Sequence, residues 1–120
     1  MPLPPGYHIP EREDNGDVTV IRFAASSIRD EQNILAVFEQ LRRLVESEGR
    51  RKLVLDFGPV RAVTSSAIAN LIALNRDLQP PKGRLALCNL TPLFSEILEA
   101  MELHSYLNLY RTEQEALRSF

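Results

Sequence analysis

Two stretches of the chain are apolar at almost every position, Leu53-Val-Leu-Asp-Phe57 and Arg84-Leu-Ala-Leu-Cys-Asn-Leu90. Runs of this length predict strands covered on both faces. Asp17 to Ala24 is rich in β-branched residues and predicts a third strand. Tyr7 to Glu13 fits an edge strand, because Pro10 cannot donate to a central ladder. Between these two, Asp14-Asn-Gly16 is a hairpin signal, with Asn-Gly supplying the positive φ angles of a type I′ turn. Tyr106-Leu-Asn-Leu-Tyr110 is short and alternating, a second edge strand.

The remaining apolar residues recur at helical spacing. Ile34, Phe38, Leu41 and Val45 line one face, and Glu39, Gln40, Arg43 and Glu46 the other. Asp30 is the expected cap of that helix, Glu39–Arg43 an i,i+4 ion pair and Gly49 its stop. Ile68, Leu71, Ile72 and Leu78 form the inward face of a second helix, which must end before Pro80-Pro81. Thr91-Pro92 marks a third helix start, with Leu93, Phe94, Ile97, Leu98 and Met101 inward. Thr112-Glu-Gln-Glu115 is a capping box for a fourth, which turns Leu117 and Phe120 inward. The order is β, β, α, β, α, β, α, β, α. Short loops between alternating elements predict one α/β domain, with a mixed, largely parallel sheet of about five strands and about four helices. The expected core includes Leu53, Val54, Leu55, Ile72, Leu85, Leu87 and Phe94. Residues 1–6 read as a proline-rich arm and 7–120 as the domain.

Composition narrows the function. The 120 residues are 44% apolar and 25% charged, enough for a real core. A net charge of −2 gives no electrostatic reason to expect nucleic acid. The single cysteine, Cys88, excludes a disulfide scaffold and reads as a small buried hydrophobe. His8 and His104 sit in no metal-ligand spacing, so no metal and no cofactor are expected. No apolar run is long enough to span a bilayer, and the N-terminus lacks a signal-peptide pattern. The expected location is the cytoplasm, and the expected state is a monomer or a weak self-associate.

Candidate chemistry gathers at Thr64-Ser65-Ser66, where a buried strand hands over to a helix N-terminus. Backbone N–H groups point outward there, and negative charge is tolerated. A serine hydrolase would need Gly-x-Ser-x-Gly, but the chain reads Val-Thr-Ser-Ser-Ala. There is no Gly-rich phosphate loop either. Catalysis is therefore not expected. Plain helix capping by one of the three hydroxyls remains the bland alternative.

Leu-Val-Leu-Asp-Phe, a loop, Thr-Ser-Ser-Ala-Ile-Ala-Asn-Leu-Ile, an apolar strand ending in Cys-Asn-Leu and a proline-started helix together resemble the STAS domain. That family includes the anti-sigma factor antagonists. The resemblance implies a partner-switching module that binds an anti-sigma factor or switch-type serine kinase and is controlled by phosphorylation. By position, the phosphorylated serine is Ser65, with Ser66 and Thr64 as alternatives. The implied partner surface is Gly58, Pro59, Thr64, Ser65, Ser66, Ala67 and Asn70. The family's usual Asp-Ser-Ser-Gly is Thr-Ser-Ser-Ala here, which changes both the residue before Ser65 and the one after Ser66. The resemblance also implies association between STAS domains. It leaves a second reading open, a constitutive scaffold or lipid-transport accessory in which Ser65 only caps.

Overall fold

The computed structural model describes residues 11–24, 31–61, 63–78, 83–104 and 106–120. Five strands make one sheet in chain order: β1 (Glu11–Asn15), β2 (Val18–Arg22), β3 (Lys52–Asp56), β4 (Arg84–Cys88) and β5 (Asn108–Tyr110). β1 pairs antiparallel with β2, and every later pair is parallel. Four helices follow the parallel strands: α1 (Glu31–Glu46), α2 (Ser65–Leu78), α3 (Pro92–Ala100) and α4 (Glu113–Arg118). This is the expected mixed α/β sheet with β1 and β5 at its edges. The expected arm, Tyr7 to Pro10 and the Asp30 cap lie outside the described residues.

The period-two alternation of the strands builds two unequal cores. Ile21, Leu53, Leu55, Phe57, Leu85 and Leu87 face α1, α2 and α3. Val18, Val20, Val54, Ala86 and Cys88 face the other way, toward Ala116, Leu117 and Phe120 of the C-terminal segment. One sheet face therefore carries three helices, and the other carries the short α4. That explains why β3 and β4 are apolar at consecutive positions. β1 is exposed along its whole length and carries Glu11, Arg12, Glu13 and Asp14, charges that discourage pairing with another chain.

Several expectations shift by a residue or two. The hairpin turn is Gly16-Asp17, because Asn15 still pairs with Val18. Glycine at the first turn position, φ 63°, supplies the one positive angle that a type II′ turn needs. On α2 the buried apolar set is Ala67, Ile68, Leu71, Leu74 and Leu78, so Ile72 sits only half-buried at the margin. On α3 only Phe94 and Leu98 are buried, while Leu93 and Met101 are 59% and 50% exposed. A nine-residue helix docks here along the Phe94–Leu98 line, with Ile97 half-buried against the core beside it, while Leu93 and Met101 face out. Tyr106 is exposed, and the last strand begins only at Asn108.

The helix ends follow local chemistry. Gly49 is left-handed at φ 66°, and the Arg50 N–H reaches back to the Leu44 carbonyl at 2.9 Å. Glu39 and Arg43 pair at 3.2 Å. Arg51 donates to the last α2 carbonyls, Asp77 and Leu78. Gly83 passes so close that a Cβ there would fall 1.8 Å from the Leu78 carbonyl oxygen, so only glycine fits. Arg84 ties down the C-terminus: it donates to the Ser119 carbonyl at 2.6 Å and lies over the Phe120 and Tyr110 rings. In α4, Thr112 Oγ1 accepts from Glu115 N, while the Glu115 carboxylate accepts from Arg111 N, one residue before its usual capping-box partner.

Thr91 Oγ1 accepts from Phe94 N at 3.2 Å with extended backbone, the geometry of a hydroxyl N-cap. Thr91→Ala is expected to cost about 1 kcal/mol, read as a lowered urea midpoint at constant slope. An unchanged midpoint would show that the cap contributes nothing.

Candidate functional site

β3 is the central strand of the sheet, and everything at the candidate site hangs from its C-terminal end. Its last residue, Asp56, is 8% exposed. Asp56 Oδ1 accepts from Gly58 N at 2.8 Å and from the Asn89 side-chain amide at 3.1 Å. Phe57 then drops into the core, and the chain turns at Gly58-Pro59 with Val60 N bonded to Phe57 O at 2.9 Å. Val60 is buried too, so the loop is pinned at both sides of an exposed Gly58-Pro59 tip. Asn89, at the end of the neighbouring strand, holds a left-handed φ of 56°, a conformation that Asn tolerates better than most residues.

The loop delivers the hydroxyl cluster to the start of α2. Thr64 is the cap: its Oγ1 accepts from Ala67 N at 3.2 Å, and its carbonyl accepts from Ile68 N. Ser65 is the first helical residue and is exposed. Ser66 is half-buried, and its Oγ donates to Glu31 Oε1 at 3.0 Å, tying the start of α2 to the start of α1. Asn70 braces the same junction. Its amide donates to Ser66 O at 2.9 Å, and its Oδ1 accepts from Arg42 at 2.8 Å.

The structure therefore divides the expected partner surface. Gly58, Pro59, Thr64 and Ser65 are accessible. Ala67 is fully buried, and its methyl group packs into the core behind the helix start, so its side chain is not available to a partner. Ser66 and Asn70 are half-buried and spent on internal bonds. Asp56, Asn89, Glu31 and Arg42 also build the site but do not stand out in the sequence. Only Asp56 carries a local signal, as a lone carboxylate closing an apolar strand.

The electrostatics beneath the loop are unusual. Burial, then the neighbouring Glu113, pushes the Asp56 carboxyl above its ordinary value. Glu113 is held down to about 2, first by Arg22, which grips it at 2.6 and 2.9 Å, and then by Asp56. Burial pushes the Cys88 thiol up to about 12, so it stays protonated and unreactive. A cavity of about 470 Å³ opens beside Asp56, Gly58, Pro59 and Asn89. Among the described residues, no group of three or more His, Cys, Asp or Glu is placed to hold a metal ion. No described helix is long and apolar enough to cross a membrane.

Comparison with known proteins agrees with this geometry. The STAS domain family model matches residues 10–116. No curated protein sequence matches the chain. Among solved structures, an anti-sigma-factor antagonist (STAS) domain protein from Planctomyces limnophilus is similar at 25% identity and a TM-score of 0.82, with 93% of this chain and 97% of that one covered. A putative anti-sigma factor antagonist from Thermotoga maritima aligns at 15% identity and a TM-score of 0.80, covering 91% and 92%. The Bacillus cell fate determinant SpoIIAA in its phosphorylated form aligns at 18% identity and a TM-score of 0.69, covering 92% and 97%.

Proposed function

The chain belongs to the STAS domain family, and we propose that it acts as an anti-sigma-factor-antagonist-like partner switch in the cytoplasm, set by phosphorylation of Ser65. The observation that carries this reading is local. Of the three adjacent hydroxyls, Ser65 is exposed at the first position of α2, while Thr64 caps the helix and Ser66 is tied to Glu31. A phosphate on Ser66 would be placed against the Glu31 carboxylate, and like charges at that distance repel. On Thr64 it would crowd the cap that starts the helix. On Ser65 it meets the positive end of the α2 dipole.

The energetics suit a switch. A phosphate adds about −1.5 to −2 charges. That is comparable to the whole formal charge of the chain, −2. At an exposed helix start it is tolerated or stabilised by about 0.3–1 kcal/mol. Under a partner the same dianion is desolvated without a matching cation, which costs far more. Binding changes and the fold does not.

In this reading the unmodified protein binds an anti-sigma factor or switch-type serine kinase through Gly58, Pro59, Thr64 and Ser65, and it performs no chemistry of its own. The partner's class comes from the relatives, which are anti-sigma factor antagonists. Intact-mass analysis and peptide mapping of the protein from its native host test the site. The expected result is one phosphate, on Ser65. A phosphate found only on Ser66 or Thr64 contradicts the site, and a chain that is never phosphorylated under changing growth conditions favours the constitutive scaffold reading.

A further inference from the structure

Hydrogen bonds, more than packing, hold the tip of the switch loop. Gly58 and Pro59 are exposed, and a cavity of about 470 Å³ opens beside them. Pro59 has no N–H to give. The Gly58 N–H donates to Asp56 Oδ1 at 2.8 Å, and Val60 N closes the turn on Phe57 O at 2.9 Å. The course of the tip therefore depends on where Asp56 Oδ1 stands. A Cβ built on Gly58 would lie 3.2 Å from that oxygen, so the carboxyl sits directly against the loop backbone.

The Asp56 backbone is fixed from both sides. Phe23 N donates to Asp56 O at 3.0 Å, and Phe57 N donates to Cys88 O at 3.1 Å. Its buried side chain is held by a different residue: Asn89 Nδ2 donates to the same Oδ1 at 3.1 Å. Asn89 directly follows Cys88, the last residue of β4, and turns into left-handed backbone at φ 56°. Asn holds this conformation more readily than most residues, and it brings an amide donor with it. Glycine would hold the backbone and give no donor. Aspartate would put an acceptor in the donor's place. The site uses both properties of Asn89 at once.

We propose that Asn89 is a positioning residue for the switch loop: its amide fixes the Asp56 carboxyl, and that carboxyl fixes the Gly58-Pro59 tip in one conformation. The end of β4 thus reaches the loop through one relay of bonds, Asn89 to Asp56 to Gly58. Without the amide, Asp56 Oδ1 is left with the Gly58 bond, the carboxyl gains freedom to turn, and the tip moves with it. A partner that covers the tip must then order it on binding, which lowers affinity. This consequence for binding rests on the Ser65 switch, whereas the positioning of the tip stands on the bonds themselves.

Solvent exchange of the backbone amides, followed by NMR on the full chain, reads the tip without any partner. Asn89→Gly keeps the left-handed backbone and removes the amide. Exchange of the Gly58 amide is expected to speed up about tenfold, the weight of one hydrogen bond at a buried group. The Phe57 amide should keep its rate, because its bond to Cys88 O is untouched. Asn89→Asp also holds the backbone and offers no donor at neutral pH, so it should release Gly58 in the same way. That variant decides if Asn89→Gly fails to fold.

A Gly58 rate unchanged in a folded variant overturns the proposal. So does an equal acceleration of Gly58 and Phe57, which would mean that the whole end of the sheet has loosened. The second readout is affinity, with an anti-sigma factor or switch-type serine kinase of the same host as the probe. Unmodified Asn89→Gly should bind about threefold or more weaker than the parent. Parent-like affinity in a variant whose Gly58 amide has been released overturns the effect on binding. A parent that binds neither class of partner contradicts the Ser65 switch, and the amide rates still decide the positioning of the tip, so the two can fail separately.

Discussion

Phe57→Ala is expected to destabilise the domain by about 3–5 kcal/mol, the range for deleting a buried aromatic ring. The Phe57 ring is fully buried between two others, 4.7 Å from Phe23 and 5.3 Å from Phe94 in an edge-on contact. It thus joins β2, β3 and α3 at the end of the sheet that carries the switch loop. The two neighbouring rings belong to separate segments of the chain, so the hole cannot close by one side chain turning over. A domain of this size is stable by only about 5–15 kcal/mol, so this one change removes a large share. Phe57→Leu keeps most of the volume and should cost clearly less. Urea unfolding of both variants measures this, and a Phe57→Ala midpoint within error of the parent would show that the aromatic cluster does not hold this end of the sheet together.

Ser65→Asp is expected to weaken partner binding tenfold or more, about 1.4 kcal/mol or above, with little change in thermal stability. The two halves of this prediction have separate causes. Stability holds because Ser65 is exposed at the first position of α2, where a carboxylate is electrostatically welcome. Binding falls because the same carboxylate loses its water when a partner covers the Gly58-Pro59 loop. Ser65→Ala should keep binding and abolish phosphorylation. Asp carries less charge than a phosphate, so true phosphorylation should weaken binding further. An unfolded Ser65→Asp variant would show that the helix-start geometry is wrong.

The parts of the fold visible in the sequence are those set by local rules. β3 and β4 announce themselves as apolar runs because helices cover both of their faces. The Thr91 and Thr112 caps are legible because a hydroxyl followed by a helical pattern serves its own backbone. The misreadings occur where packing partners decide. Leu93 and Met101 have the spacing of core residues, but α3 turns Phe94 and Leu98 fully inward and Ile97 only partly, leaving those two outside. Ile72 loses its place to Leu74, since the direction in which α2 crosses the sheet is not written in its own residues. At the site, the hydroxyl triplet and the likeness to a known family point to Ser65. The assignment of separate tasks to Thr64, Ser65 and Ser66 needs Glu31, which is 35 residues away in the chain. Ala67 shows the opposite limit: sequence position places it in the partner surface, and its burial takes it out.

The most direct test of the switch is titration calorimetry of one anti-sigma factor or switch-type serine kinase from the same host against two preparations of this protein, one unmodified and one phosphorylated on Ser65. The account predicts tight binding of the unmodified protein and at least a tenfold loss on phosphorylation, with both preparations melting at nearly the same temperature. Equal affinity for the two, with the phosphate verified on Ser65, would contradict it.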